Sequence, residues 1–186
     1  MKLEEARILL RPWRESDAKR LFEIYNEHYM GTVTSIPQPY KLKDAKDFVK
    51  RRIAEWKNGQ TLGFAIIWKE SMGVIGDVSL IVKKRHNNAE LAYTLAKQFR
   101  GMGVMPEAAS LLLEYGFKKM KFHRISVSHM DGNNASRRVI KKLGFKFEGR
   151  QREAGKPAIG KAYKDLLVYS ILKKEWAFKK SVQGCE

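Results

Sequence analysis

Three strand-like runs follow one another between Leu62 and Leu95, and the third passes through a short glycine turn into a helix and a further strand. Leu62–Trp68, Val74–Val82 and Glu90–Leu95 are rich in β-branched and aromatic residues, with turns expected at Gly73 and at Asn87-Asn88. Such short links allow only antiparallel pairing. Next, Met105, Ala109, Leu112, Leu113, Phe117 and Met120 recur at helical spacing, and His123–Met130 then alternates. A strand, helix and strand joined this way lie parallel with a right-handed crossover. One chain that requires both kinds of pairing must build a mixed sheet covered by helices on both faces.

The flanking segments extend this frame. Ile8–Arg11 reads as a strand stopped by Pro12, and Ser16 as the cap of a helix carrying Ala18, Leu21, Phe22 and Tyr25. Residues 30–40 contain Gly31, Pro37 and Pro39 and read as a loop. Ala45, Phe48, Val49, Ile53 and Trp56 share one face of a second helix, ended by Gly59. After the Asp131-Gly132-Asn133-Asn134 turn, a short helix runs from Ala135 to Leu143 and closes at Gly144, and Phe147–Glu153 and Lys164–Leu172 complete the sheet. The expectation is an α/β (α+β) chain with a mixed, mostly antiparallel sheet of six to seven strands. No repeat or linker divides it, so residues 1–175 are read as one domain and 176–186 as a tail.

Charge narrows the class of partner. Lys and Arg number 37 against 20 Asp and Glu, a formal net charge of +17, which favours an anionic partner: nucleotide, nucleic acid, acidic protein or membrane surface. The single cysteine, Cys185, excludes an internal disulfide framework and argues against a cysteine metal site. His28, His86, His123 and His129 show no ligand spacing, so no metal is expected. The N-terminus carries early acids and no apolar core, and no apolar run reaches the length of a membrane span, so the expectation is a cytoplasmic protein with no membrane partner.

The turn from Gln98 to Gly103, Gln-Phe-Arg-Gly-Met-Gly, lies between a strand end and a helix start with Pro106 in its first turn. Gly101 and Gly103 let successive N–H groups converge on one concavity above the positive end of the helix, a place suited to a phosphate or pyrophosphate. A plain tight turn is the alternative. The turn lacks the Gly-Lys-Ser/Thr of a Walker loop and the third glycine of a dinucleotide fingerprint.

Gln98-Phe99-Arg100-Gly101-Met102-Gly103 resembles the Gln/Arg-x-x-Gly-x-Gly/Ala signature of the GCN5-related N-acetyltransferases (GNAT). Leu9-Leu10-Arg11-Pro12 with Asp17-Ala18, Asn133-Asn134-Ala135-Ser136 with Leu143-Gly144-Phe145, and Tyr163-Lys164-Asp165 with Tyr169 resemble the RimJ/RimL branch, the ribosomal-protein N-acetyltransferases. The resemblance spans nearly the whole chain. It implies the GNAT fold, acetyl-CoA as cosubstrate and acetyl transfer to an amine, most specifically a protein N-terminal α-amine. It also implies a cofactor-binding set of Tyr93, Leu95, Gln98, Arg100, Gly101, Met102, Gly103, Val104, Asn133 and Ser136, with the loop on the pyrophosphate and the strand end at Tyr93–Ala96 on the amides of the pantetheine arm. Asn133 serves equally as a helix cap.

Direct attack by the amine needs a proton acceptor and donors for the developing negative charge. The resemblance gives Ser136 the donor role and Glu90 the role of base. Glu153 is the second candidate base, although Gly155 stands nearer the family's place. The 30–40 and 155–163 loops are expected to shape the acceptor pocket. A small amine (polyamine, amino acid or aminoglycoside) is the alternative acceptor, and a non-catalytic basic RNA- or ribosome-binding protein is the alternative from another class. Nucleic acid is expected only indirectly. The chain is expected as a monomer or homodimer.

Overall fold

The computed structural model describes residues 1–177 of the chain; Cys185 and most of the expected tail lie outside them. The strands are β1 (Leu3–Glu4), β2 (Ile8–Pro12), β3 (Thr61–Trp68), β4 (Gly73–Lys83), β5 (Asn88–Leu95), β6 (Arg124–Met130), β7 (Lys146–Gly155) and β8 (Lys164–Leu172). The helices are α1 (Ala18–Tyr25), α2 (His28–Val33), α3 (Leu42–Lys57), α4 (Val104–Lys118) and α5 (Asn134–Leu143). The strands form one eight-stranded sheet in the order β1-β2-β3-β4-β5-β6-β8-β7. Every neighbouring pair is antiparallel except β5 and β6. The strand beyond the expected seven is the two-residue β1, too short to show a period.

Alternation along the strands feeds two cores. On one face Ile8, Leu10, Phe64, Ile66, Leu80 and Ile125 pack with Leu112, Leu113 and Phe117 of α4 and with Ile140 and Leu143 of α5. On the other, Ala65 and Ile67 of β3 meet Leu21, Ile24 and Tyr25 of α1 and Ala45 and Val49 of α3. Helices therefore cover both faces. Leu112 and Leu113 are fully buried, so each contributes about 1.5–3 kcal/mol of transfer energy, and truncating either to Ala costs roughly 2–5 kcal/mol. Trp176, where the tail was expected to begin, is buried near Phe117, with ring centroids 6.2 Å apart.

Two local expectations change. Ser16 does not cap α1; it lies in a short 3-10 turn, Glu15–Asp17. The segment is anchored instead by buried Asp17, which accepts two hydrogen bonds from Arg11 at 2.7 and 2.8 Å and one from the Arg14 amide at 2.8 Å. Residues 30–33 belong to helix α2 rather than to a loop. Gly31 suggests a break but is a packing residue, since a Cβ there would stand 2.4 Å from Gln38 and 2.8 Å from Ile159.

The feature that positions the site is the failure of β5 and β6 to stay together. They pair only at Asn88, Ala89 and Glu90 with Arg124, Ile125 and Ser126. β5 remains paired with β4 through Leu95. From Leu91 onward its other edge is therefore bare, and the strands splay apart.

Candidate active site

A cavity of about 310 Å³ occupies the splay. Tyr93, Thr94 and Leu95 line it from the open end of β5, Arg100, Gly101, Gly103 and Val104 from the glycine turn and the start of α4. Asn133, Ala135, Ser136, Arg138 and Lys142 come from α5 and its cap, and Tyr29, Met30, Val33 and Thr34 from α2 and the residue that follows it. Unpaired strand edges carry N–H and C=O groups in a row, which suits a ligand rich in amides.

The glycine turn has the conformation its sequence requires. Gly101 has φ +82° and Gly103 φ +78°, both in the left-handed region. Gly103 occupies the cap position of α4, so the partial positive charge of that helix end faces the cavity. A Cβ on Gly101 would meet nothing within 4 Å; the space above it is open. Arg7 fixes the loop from outside, its Nη1 donating to the Met102 carbonyl at 3.2 Å and its Nε to Glu107 at 3.1 Å. Glu107 also lies in the first turn of α4, where a carboxylate is favoured.

Two of the expected site residues meet directly. The Tyr93 hydroxyl donates to the Ser136 carbonyl at 3.4 Å. Burial pushes that phenol up to about 12, opposed by a side-chain hydrogen bond with Ser136. It therefore keeps its proton at neutral pH and can act as a donor. The Asn133 oxygen caps α5 by accepting from the Ser136 amide at 3.1 Å, which leaves its amide nitrogen for other partners. Both expected roles of Asn133 are thus compatible.

Other expected residues are placed differently. Arg100 lines the cavity, but its guanidinium donates to the Leu95 carbonyl at 2.9 Å, pairs with Glu27 and lies 5.2 Å over the Tyr29 ring. It ties α2 to the glycine turn. Gln98 is exposed, and neither it nor Met102 lines the cavity. Glu90 is also absent from the lining; it is bonded to Lys83 at 2.9 Å, at the paired end of β5. Glu153 is exposed and outside the lining, with its amide donating to Asp165 at 2.8 Å. Neither carboxylate lines the cavity.

Sequence reasoning passed over three contributions. Arg138 and Lys142 bring two cations to the cavity, and their i,i+4 spacing on α5 was a readable signal. Arg7 reaches the loop across 95 residues, which no local pattern reveals. Behind Thr94, the carboxylate of Asp77 is 3% exposed and accepts from Tyr25 at 2.7 Å and from Thr94. Burial raises its pKa, against the hydrogen bonds from Thr94 and Tyr25 and the charge of Arg52.

A splayed parallel pair with a glycine-capped helix across its mouth defines a site for a long anion bearing an amide arm. Residues 7–146 match the Acetyltransferase (GNAT) domain, and the chain belongs to that family. It is an N-acetyltransferase that draws on acetyl-CoA. Among its relatives, the uncharacterized N-acetyltransferase YnaD of Bacillus subtilis is 28% identical over 177 residues, covering 95% of this chain and 99% of YnaD. The [ribosomal protein uS5]-alanine N-acetyltransferase of Escherichia coli is 24% identical over 159 residues, 82% of each chain. The solved structure of Mycobacterium smegmatis RimJ with CoA-disulfide superposes with a TM-score of 0.85 at 20% identity, covering 99% of this chain and 95% of RimJ. Among the described residues no group of three or more His, Cys, Asp or Glu is arranged to hold a metal, and no helix is long and apolar enough to cross a membrane.

Proposed function

We propose that the chain transfers the acetyl group of acetyl-CoA to the α-amine at the N-terminus of a protein, with a ribosomal protein as the first class to test. The observation that carries the reading is the meeting of Tyr93 and Ser136 beside the bare edge of β5, between the glycine turn and α2. The E. coli relative named for a ribosomal-protein alanine supports the choice of acceptor.

The residues present fit acetyl-CoA. Gly101 and Gly103 leave backbone N–H groups and open space for a diphosphate, Arg138 and Lys142 add positive charge, and the edge of β5 past Glu90 offers hydrogen bonds to an amide arm. Bound there, acetyl-CoA supplies an acetyl group activated as a thioester. The chain's own part is placement and donation. Ser136 holds an O–H donor where negative charge develops as the amine adds and sulfur departs, and Tyr93, whose own O–H goes to the Ser136 carbonyl, holds that residue in place. Asn133, its oxygen committed to the α5 cap, turns its N–H₂ to the arm. Tyr29, Met30 and Val33 line the α2 side with apolar surface. A free α-amine has a pKa of about 7.7–8.0 against roughly 10.4 for a lysine side chain. Much of it is already neutral near pH 7.5, so water can take the departing proton without a carboxylate in the cavity.

The test is acetyl-CoA turnover against peptides with different N-termini, with N-blocked lysine peptides and spermidine as competing classes. The reading predicts turnover with free N-termini and little with blocked lysine peptides. Equal turnover of blocked and free peptides contradicts it.

A further inference from the structure

Two segments that pack together at the α2 side of the cavity carry no acidic residue. Residues 28–43, which include α2, contain no Asp or Glu, and neither do residues 154–164, the link from β7 to β8. The link packs onto α2: Ala158 donates to the Thr34 carbonyl at 3.0 Å, Ile159 to the Gly31 carbonyl at 2.8 Å, and Ser35 to the Lys156 carbonyl at 3.0 Å. It brings Lys156, Lys161 and Lys164 with it. None of the three has a carboxylate partner among the described residues, in a chain where many cations are paired.

Lys164 is the best placed. Its Nζ donates to the Thr32 carbonyl on α2 at 3.2 Å and lies 3.9 Å from where a Cβ on Gly132 would stand. Thr32 lies between the lining residues Met30 and Val33, and Gly132 adjoins the lining residue Asn133. The ammonium therefore spans from α2 to the turn before α5, beside the cavity, with hydrogens left to donate. Acids on the adjoining segments belong to other pairs: Asp131 and Asp165 share Arg150 at 3.5 and 3.0 Å, and Glu27 holds Arg100.

We infer that this rim is an anion subsite for the acceptor, with Lys164 as its centre and Lys161 and Lys156 extending it, and that the acceptor carries a negative group close to the reacting amine. The inference deepens the acetyl-transfer reading above but does not depend on the acceptor being a protein. The same chemistry is presented by an N-terminus followed by acidic residues and by a small anionic amine. A polyamine presents the opposite charge and meets repulsion.

The test compares kcat/KM for peptides beginning with Ala and carrying Asp, Gln or Lys at the next three positions, alongside aspartate and 1,3-diaminopropane. Wild type, Lys164→Gln, Lys164→Arg and Lys161→Gln are measured at low and high salt. The Asp peptide should exceed the Lys peptide by about tenfold or more at low salt, and screening should shrink that ratio. The ratio should fall in Lys164→Gln, recover in Lys164→Arg, and fall in part in Lys161→Gln, whose side chain is exposed. Recovery in Lys164→Arg separates charge from any loosening of α2. Equal ratios, preference for the Lys peptide, or ratios unchanged in both Gln variants overturn the subsite. If aspartate is acetylated ahead of 1,3-diaminopropane while no peptide reacts, the subsite stands and the protein N-terminus reading falls. Preference for 1,3-diaminopropane overturns the subsite.

Discussion

Replacing Gly101 by Ala isolates what the glycine turn does. Gly101 has φ +82°, and the added methyl meets nothing within 4 Å, so the folded protein bears no steric clash. It bears only the cost of an L-residue in the left-handed region, about 1–2 kcal/mol. For a chain of this size that lowers Tm by roughly 2–8 °C. Gly59 is the matched control, with φ +62° and only the Lys84 Nζ, at 3.9 Å, near its would-be Cβ. It lies after α3 and is not part of the cavity lining. The two Ala variants should lose similar stability. Only Gly101→Ala places a methyl where backbone must approach a diphosphate, so its Kd for CoA should rise by about tenfold or more, at least 1.4 kcal/mol. Thermal unfolding measures the first effect and titration calorimetry the second. Wild-type CoA affinity in Gly101→Ala, or an equal loss in Gly59→Ala, would refute the phosphate-loop reasoning.

Further outcomes follow from the same geometry. Ser136→Ala should lower kcat about 30- to 1000-fold, the worth of a donor of roughly 2–4 kcal/mol acting mainly in the transition state, with a smaller change in the KM for acetyl-CoA; an unchanged kcat at saturation removes the donor role. Glu90→Gln should keep a near wild-type rate and pH profile, because Glu90 is held by Lys83 outside the cavity; a loss of tenfold or more would restore it as the base. Asp77 has a folded pKa raised above 3.8 by burial, so its contribution to stability is present below about pH 4 and is lost as pH rises through the folded value. Asp77→Asn should flatten that part of a Tm-against-pH curve, and an unchanged slope contradicts the assignment. Glu148 behaves oppositely, lowered from 4.5 to about 2 chiefly by the hydrogen bond from Arg124. Its stabilisation is present above pH 4.5 and fades as pH falls toward 2, on the order of 1 kcal/mol for so exposed a pair. Glu148→Gln should weaken that acid limb in urea titrations.

Much of the fold was legible because the signals were local. The meander, the glycine turn and the α5 cap each depend on residues a few positions apart, and β8 falls on the expected Lys164–Leu172. Gly31 misled because a glycine that breaks a helix and one that lets Gln38 and Ile159 approach look alike until the partners are known. The same limit explains Glu90. Its place on β5 was readable, but its pairing with Lys83 on the neighbouring strand depends on tertiary register. Tyr93 and Ser136 are 43 residues apart and meet only because β5 leaves β6 after Glu90. The strand–helix–strand order dictated the parallel pair but not how soon it would splay.

The central claim is most directly tested by locating the transferred group. A peptide with a free N-terminus and one internal lysine is incubated with acetyl-CoA and the enzyme, and the product is fragmented in a mass spectrometer, with Ser136→Ala as the comparison. The predicted result is a single acetyl group on the α-nitrogen, formed far more slowly by the variant. Acetyl on the lysine side chain alone, or equal yield from wild type and variant, would contradict the account.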